Sequence, residues 1–546
     1  MWNRNRSGRV PAAALFAIAA FLVFSVAAPT SRGDSLQADG VRLVGSSRDA
    51  REVFFLSPDR LIPADRDRSG DLYESANHRL SLVATGNGEP GGAEDASFRF
   101  VTPDGRRVFF QTAKPLASTD TDSAIDVYER SPEGLTLVST GPANSNSPEA
   151  ARFQAASPDG NRVVFATAAA LTPDDSDAAV DLYERSGMTT TLITKGTAQG
   201  VVALNRGQRG TFGEPRQSAV LSSDGLRVIF ATVERLSPSD LDDQVDIYEA
   251  TGGAMVLLST GPTDDGKCPA VDCDAELESI SPDASRIVFD TREALVEGDT
   301  DGANDLYERA GGTTTLLSVG ASGQDVSFPE FLAASSDASR VLFASSEKLT
   351  ADDRDQYPDI FERAAGTTRL VSGGRLDTSF PGATAPGVEF AGASKDLSRV
   401  FFTTYEGLIP SDRWGDLDLY EHVGNRTTLV SGSARAPNDE NSTIRFEGCS
   451  ANGRTVLFLT ESSLLAKDRG EKRDLYARTG SRLTLLTRGF AGHQGGGPRV
   501  LALSADGRRV VFASLARLAK RDHDRRRDLY EWFRGRTTLL SGPSAG

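Results

Sequence analysis

Three cysteines, three tryptophans and four histidines are all that 546 residues contain of those versatile side chains. The histidines, His78, His422, His493 and His523, are scattered with no ligand spacing, which excludes a His-rich metal centre. So few cysteines cannot hold a chain of this length together by disulfides. Cys268 and Cys273 lie close together in GKCPAVDCDA and are expected to close a small disulfide loop, with Cys449 left as a lone buried thiol. Lysine is scarce too. Only eight of the 60 basic residues are Lys, against 76 acids, and the formal charge is −16. An acidic surface repels phosphate backbones and anionic lipid, so nucleic acid and bare membrane surfaces are poor partners.

Long apolar runs are missing beyond the N-terminus, and so is any membrane span in the mature chain. Arg4, Arg6 and Arg9 precede an apolar stretch from Pro11 to Ala28. That layout is a Sec-type signal peptide over residues 1–28, with Ser25-Val26-Ala27 as a cleavage site and residues 29–40 as a short linker. The alternative is an uncleaved anchor, since about 18 apolar residues is near the lower limit for spanning. Cleavage removes three positive charges and no negative ones, leaving −19. The expected location is secreted or in the cell envelope or periplasm.

What is abundant is repetition. The motif Asp-[Leu/Val/Ile]-[Tyr/Phe] places its aromatic at Tyr73, Tyr128, Tyr183, Tyr248, Tyr307, Phe361, Tyr420, Tyr476 and Tyr530. Spacings of 54 to 65 residues put nine copies between Val41 and Ser541, so 41–546 is read as one repeat array. Each copy has four apolar segments of four to seven residues, rich in Val, Phe, Tyr, Leu and Thr and bounded by Pro, Gly, Asp or Ser. Such segments suit strands. The second, as in Val163-Val164-Phe165, is apolar on both faces and must be covered on both sides.

Ser157-Pro158-Asp159-Gly160 joins the first two segments, with Pro and Gly where a type I turn prefers them. Copies one, five, six and seven carry Ala or Leu in place of the Gly, which implies that the turn does not require φ > 0 there. Four antiparallel strands per unit, each unit unable to bury both faces alone, define a β-propeller blade. The expected fold is all-β, a single propeller of about nine four-stranded blades. The alternatives are eight blades plus an extra repeat, or two smaller propellers.

The unit S-P-D-G-x-R-V-x-F followed by D-[LVI]-Y resembles the PD40 (WD40-like) repeat of TolB-type propellers, over essentially the whole mature chain. TolB has a separate α/β domain ahead of its propeller, for which residues 35–45 leave no room, so the Tol–Pal partnership does not transfer. Inserts precede the fourth copy (Lys195 to Ser218), the fifth (the cysteine loop) and the seventh (Ser372 to Gly387). In an up-down blade these emerge on the same face as the loop between the second and third strands, where binding usually sits.

That loop carries two aspartates six residues apart. The pairs are Asp65/Asp71, Asp120/Asp126, Asp175/Asp181, Asp240/Asp246, Asp299/Asp305, Asp353/Asp359, Asp412/Asp418, Asp468/Asp474 and Asp522/Asp528. A middle acid follows two residues after the first at Asp67, Asp122, Asp177, Asp242, Asp301, Asp355 and Asp524, whereas Trp414 and Gly470 stand in copies seven and eight. Alternating carboxylates can ligate Ca²⁺, which takes six to eight oxygens, although the spacing is not that of an EF-hand. The competing account is structural: Asp side chains bond nearby backbone N–H groups and start the third strand. Both stay open.

No catalytic constellation is visible. GPSAG at 542–546 spells G-x-S-x-G but lacks the strand, helix and triad partners that give that motif meaning. The expectation is a non-enzymatic scaffold for a protein, peptide or cell-envelope glycan, with calcium stabilisation as one of the two open accounts of its aspartate loops. The alternative is a propeller enzyme of polysaccharide lyase or hydrolase type, using carboxylates near the central channel.

Overall fold

The computed structural model describes residues 42–539 except 48–51, 58–59, 67–69, 77–78, 87–95, 143–145, 196–199, 203–218, 265–272, 355–356, 375–386, 413–415, 433–443, 469–472, 488–496, 521 and 523–527. The signal-peptide region therefore lies outside the described residues, as do Cys268, Asp67, Asp355, Asp524, Trp414 and Gly470. The side chain of Asp528 does as well.

Each blade is an antiparallel sheet whose strands pair in chain order. Blade one comprises Arg42–Ser46, Glu52–Ser57, Asp71–Ala76 and Arg79–Leu82, and blade nine Arg499–Leu503, Arg509–Ser514, Asp528–Phe533 and Arg536–Leu539. Nine such sheets form a single β-propeller, and no helix occurs among the described residues. Every blade is built from its own contiguous strands, first and last included.

The apolar second strand packs as its sequence demands. Val164 and Phe165 are fully buried, and so is the motif Tyr183 opposite Phe165. This cross-strand aromatic pair recurs in all nine blades, with centroids 5.5 to 5.9 Å apart, as between Phe55 and Tyr73. Such contacts stabilise a sheet beyond area burial by about 0.5–1.5 kcal/mol each. The apolar clusters lie between blades: one joins Val220, Ile229 and Ile247 of blade four to Leu277, Phe289 and Tyr307 of blade five. A blade thus has no core of its own.

First strands of neighbouring blades touch one another, which places them at the hub. In blade four that strand is split. Val201–Val202 pairs with Thr232 and Ala231, and Ala219–Leu221 with Phe230 through Val228. The insert expected between blades therefore begins inside the first strand.

The turn between the first two strands corrects one expectation. Ala284, Ala338 and Leu397 have φ of 54°, 53° and 52°, like Gly160 at 68°. The left-handed conformation persists because its hydrogen bonds do. Gly160 N–H donates to Ser157 O at 2.8 Å, and Ala284 N–H to Ser281 O at 2.8 Å. Ser157 Oγ donates to Asp159 and accepts from Arg162 N–H. Backbone bonds then link turn to turn around one end of the ring, as from Ser336 to Lys395, Lys395 to Ala451 and Ala451 to Ala505.

Candidate functional site

At the opposite end of each second strand lies the aspartate loop, and the structure gives nearly every described acid in it a local bond. The first aspartate accepts the hydroxyl of the motif tyrosine: Tyr73 donates to Asp65, Tyr128 to Asp120, Tyr183 to Asp175, and Tyr248 to Asp240. Tyr307 likewise donates to Asp299, Tyr420 to Asp412, Tyr476 to Asp468, and Tyr530 to Asp522. Burial, and then the carboxylate itself, push these phenols well above their ordinary pKa. In blade six Phe361 stands at this position, with Asp353 eight residues before it.

The last aspartate accepts from a hydroxyl on the second residue after the fourth strand. Ser139 Oγ donates to Asp126 at 2.6 Å and accepts Val127 N–H at 2.9 Å, so one serine ties the third strand to the fourth. The same role falls to Thr194 on Asp181, Ser259 on Asp246, Ser318 on Asp305, Ser372 on Asp359, Ser431 on Asp418 and Thr487 on Asp474. Asp71 is buried in blade one. The middle acids turn the loop: Asp122, Asp177, Asp242 and Asp301 accept the N–H two residues on, at 2.6 to 2.7 Å.

Structural bonding thus accounts for much of the motif, yet carboxylate oxygens still converge. One oxygen from each acid lies within 4.8 Å of the others in Asp120/Asp122/Asp126, Asp175/Asp177/Asp181, Asp240/Asp242/Asp246, and Asp299/Asp301/Asp305 together with Asp325. Burial first, and then neighbouring carboxylates, push Asp126 up to about 7 and Asp246 and Asp305 to about 8.

The connections between blades reach into these loops, which bears out their shared face. Asn146 donates to Asp120 and Asp122 at 3.1 and 2.7 Å. Asp274 accepts Val245 N–H, and Asp325 accepts Thr300 N–H. Cys273, next to Asp274, is buried and disulfide-bonded, its expected partner Cys268 being outside the described residues. Cys449 is a free thiol, and burial pushes it up to about 12.

Two sets of residues escaped the sequence reading. Glu234, Glu293, Glu347 and Glu406 occupy one repeat position, two residues past the second strand in blades four to seven. Glu293 meets Asp242 of the preceding blade. Burial first, and then the hydrogen bond to Asp242, raise it to about 9. It also lines a cavity of about 260 Å³ with Thr263, Asp264, Glu297 and Asp299. Their common register was the available signal.

The second set is the arginines at the start of the second strand, which pair with the Glu directly after the motif aromatic. Arg107 pairs with Glu129, Arg162 with Glu184, Arg227 with Glu249, Arg286 with Glu308, Arg340 with Glu362, Arg399 with Glu421, and Arg509 with Glu531. The partners are 22 residues apart each time. In blade eight both change together, to Thr455 and Ala477. These acids are structural.

No family model and no curated protein matches the chain. Among solved structures it is similar to one from a structural and mechanistic study of two prolyl endopeptidases, at 13% identity and a TM-score of 0.34. That match covers 84% of this chain and 57% of the other. It is also similar to the β-propeller domain of the Trilobed protease from Pyrococcus furiosus, described as having an open velcro topology. There the identity is 13% and the TM-score 0.28, covering 72% of this chain and 98% of that one. Likenesses this faint say nothing about activity.

Proposed function

We propose that this chain is an exported, non-enzymatic scaffold of the TolB-like, PD40-repeat kind, binding a protein, peptide or cell-envelope glycan on its aspartate-loop face. The observation that carries this reading is the bonding of that face. Its repeated Tyr, Ser and Thr hydroxyls and most of its carboxylates are engaged in holding loops, while connections of variable length converge beside them. A rigid frame bearing variable loops suits recognition. The N-terminal Arg-then-apolar pattern supports export.

The test uses the mature chain immobilised against peptidoglycan fragments, neutral and acidic polysaccharides and a basic peptide mixture, with products followed by mass spectrometry. Saturable binding without turnover supports the scaffold. Chain cleavage of any polysaccharide by the purified protein would sink it in favour of the enzyme reading.

A further inference from the structure

Blade five differs from blade two in what its connection brings to the loop. Asp325 stands 26 residues after Asp299, and Asn146 stands 26 residues after Asp120 in blade two. Asn146 offers its amide hydrogens to Asp120 and Asp122, which is a neutral way to satisfy those acids. Asp325 at the same place adds a fourth carboxylate instead. Its position is set by the backbone, through a bridge to Val319 and a 2.6 Å bond from Thr300 N–H to Oδ2.

The four acids leave an unfilled demand. Asp299 Oδ1 and Asp305 Oδ2 are buried without a hydrogen-bond partner, on residues 7% and 0% exposed. The other oxygen of each is already taken by the hydroxyl of Tyr307 or Ser318. The charges acting on both residues are those of other carboxylates. An unpaired buried acceptor is costly, and an unpaired buried charge more so. Ser327 borders the group, its hydroxyl on Asp301 and its N–H on Glu347 of blade six.

We infer that Asp299, Asp301, Asp305 and Asp325 form a divalent-cation site, selective for Ca²⁺, in the seam between blades five and six. The donors are all hard oxygens, with no thiolate or imidazole among them, which favours Ca²⁺ over zinc. Asp301 is exposed and Asp325 half-exposed, so water can complete six to eight ligands on that side. Through Ser327 and Glu347 the ion is coupled to the next blade.

The experiment is equilibrium dialysis of chelator-stripped full-length protein against CaCl₂ up to about 5 mM, which spans the range of extracellular calcium modules. Bound metal is counted directly. Asp325→Asn reproduces the amide of blade two and should fold. It is expected to lower the bound calcium by one equivalent, or that site's affinity by at least ~10-fold. Glu133→Gln, at an exposed acid, controls for net charge. Asp301→Asn serves as a second variant should Asp325→Asn be unfolded by circular dichroism. No calcium bound by the wild type, or unchanged binding in a folded Asp325→Asn or Asp301→Asn protein, overturns the site.

Discussion

The tyrosine hydroxyl that closes eight of the nine aspartate loops can be removed without disturbing the ring that carries it. Tyr128 is fully buried, and its ring stacks on Phe110 at 5.7 Å, a contact that Phe would preserve. Its hydroxyl donates to Asp120 and accepts Leu116 N–H at 3.1 Å. Tyr128→Phe therefore deletes a hydrogen bond to a carboxylate, worth about 1.5–3 kcal/mol, and strands a buried N–H at about 1–3 kcal/mol. Asp120 keeps the Asp122 N–H and the Asn146 amide on its other oxygen, and water can enter from the loop side. The expected net cost is about 2–3 kcal/mol. A chain of about 500 residues has an unfolding entropy near 1 kcal/mol/K, so cooperative melting should fall by about 2–3 °C. Calorimetry reads that shift, and hydrogen exchange should show Leu116 losing protection. The reciprocal change, Phe361→Tyr, should raise stability by about 1 kcal/mol by supplying a donor near Asp353. A Tyr128→Phe protein that melts within about 0.5 °C of wild type, with Leu116 still protected, would refute the reasoning.

Further outcomes follow from other positions. Gly507 has φ of +71°, and an added Cβ would lie 2.5 Å from Thr455 Cβ, so Gly507→Ala should destabilise by about 2 kcal/mol or more in urea unfolding. Glu278 is held up at about 8 by burial first, then by Asp290 and Glu276. Its share of stability is therefore full below about pH 4.5 and lost as pH rises through about 8. Glu278→Gln should flatten that decline and raise stability at pH 8 on the order of a few kcal/mol, as checked by melting curves at pH 5 and pH 8. In a double-mutant cycle, Arg340 and Glu362 should couple by about 1 kcal/mol, because the pair is partly screened by solvent. Chelator should lower the melting temperature of the wild type and leave Asp325→Asn unmoved, since an ion bound only to the folded state stabilises it.

The blade was legible because its signals are local. Apolar runs such as Val163-Val164-Phe165, a turn such as Ser157-Pro158-Asp159-Gly160 and a recurring Asp-Leu-Tyr specify strand, turn and period without reference to anything distant. The aspartates were legible as a motif but not as a site. Asp120 and Asp299 read alike in one dimension, and only their partners, Asn146 and Asp325, tell them apart. Glu293 was invisible for the same reason, since its neighbour Asp242 belongs to another blade. The turn alanines were misjudged because side-chain preference was read without the bonds that override it.

By itself the sequence determined the all-β class, nine repeats of four strands, the acidic character and the scarcity of histidine and cysteine. Each of these is set by composition or by contacts within one repeat. Only the tertiary structure decided that the nine units form a single propeller, that the core lies between blades, and that, among the described residues, one aspartate loop gathers four carboxylates around two unsatisfied oxygens. Those outcomes depend on which blades stand side by side. A carboxylate's burial and partners are properties of that packing, to which its own repeat contributes only a part.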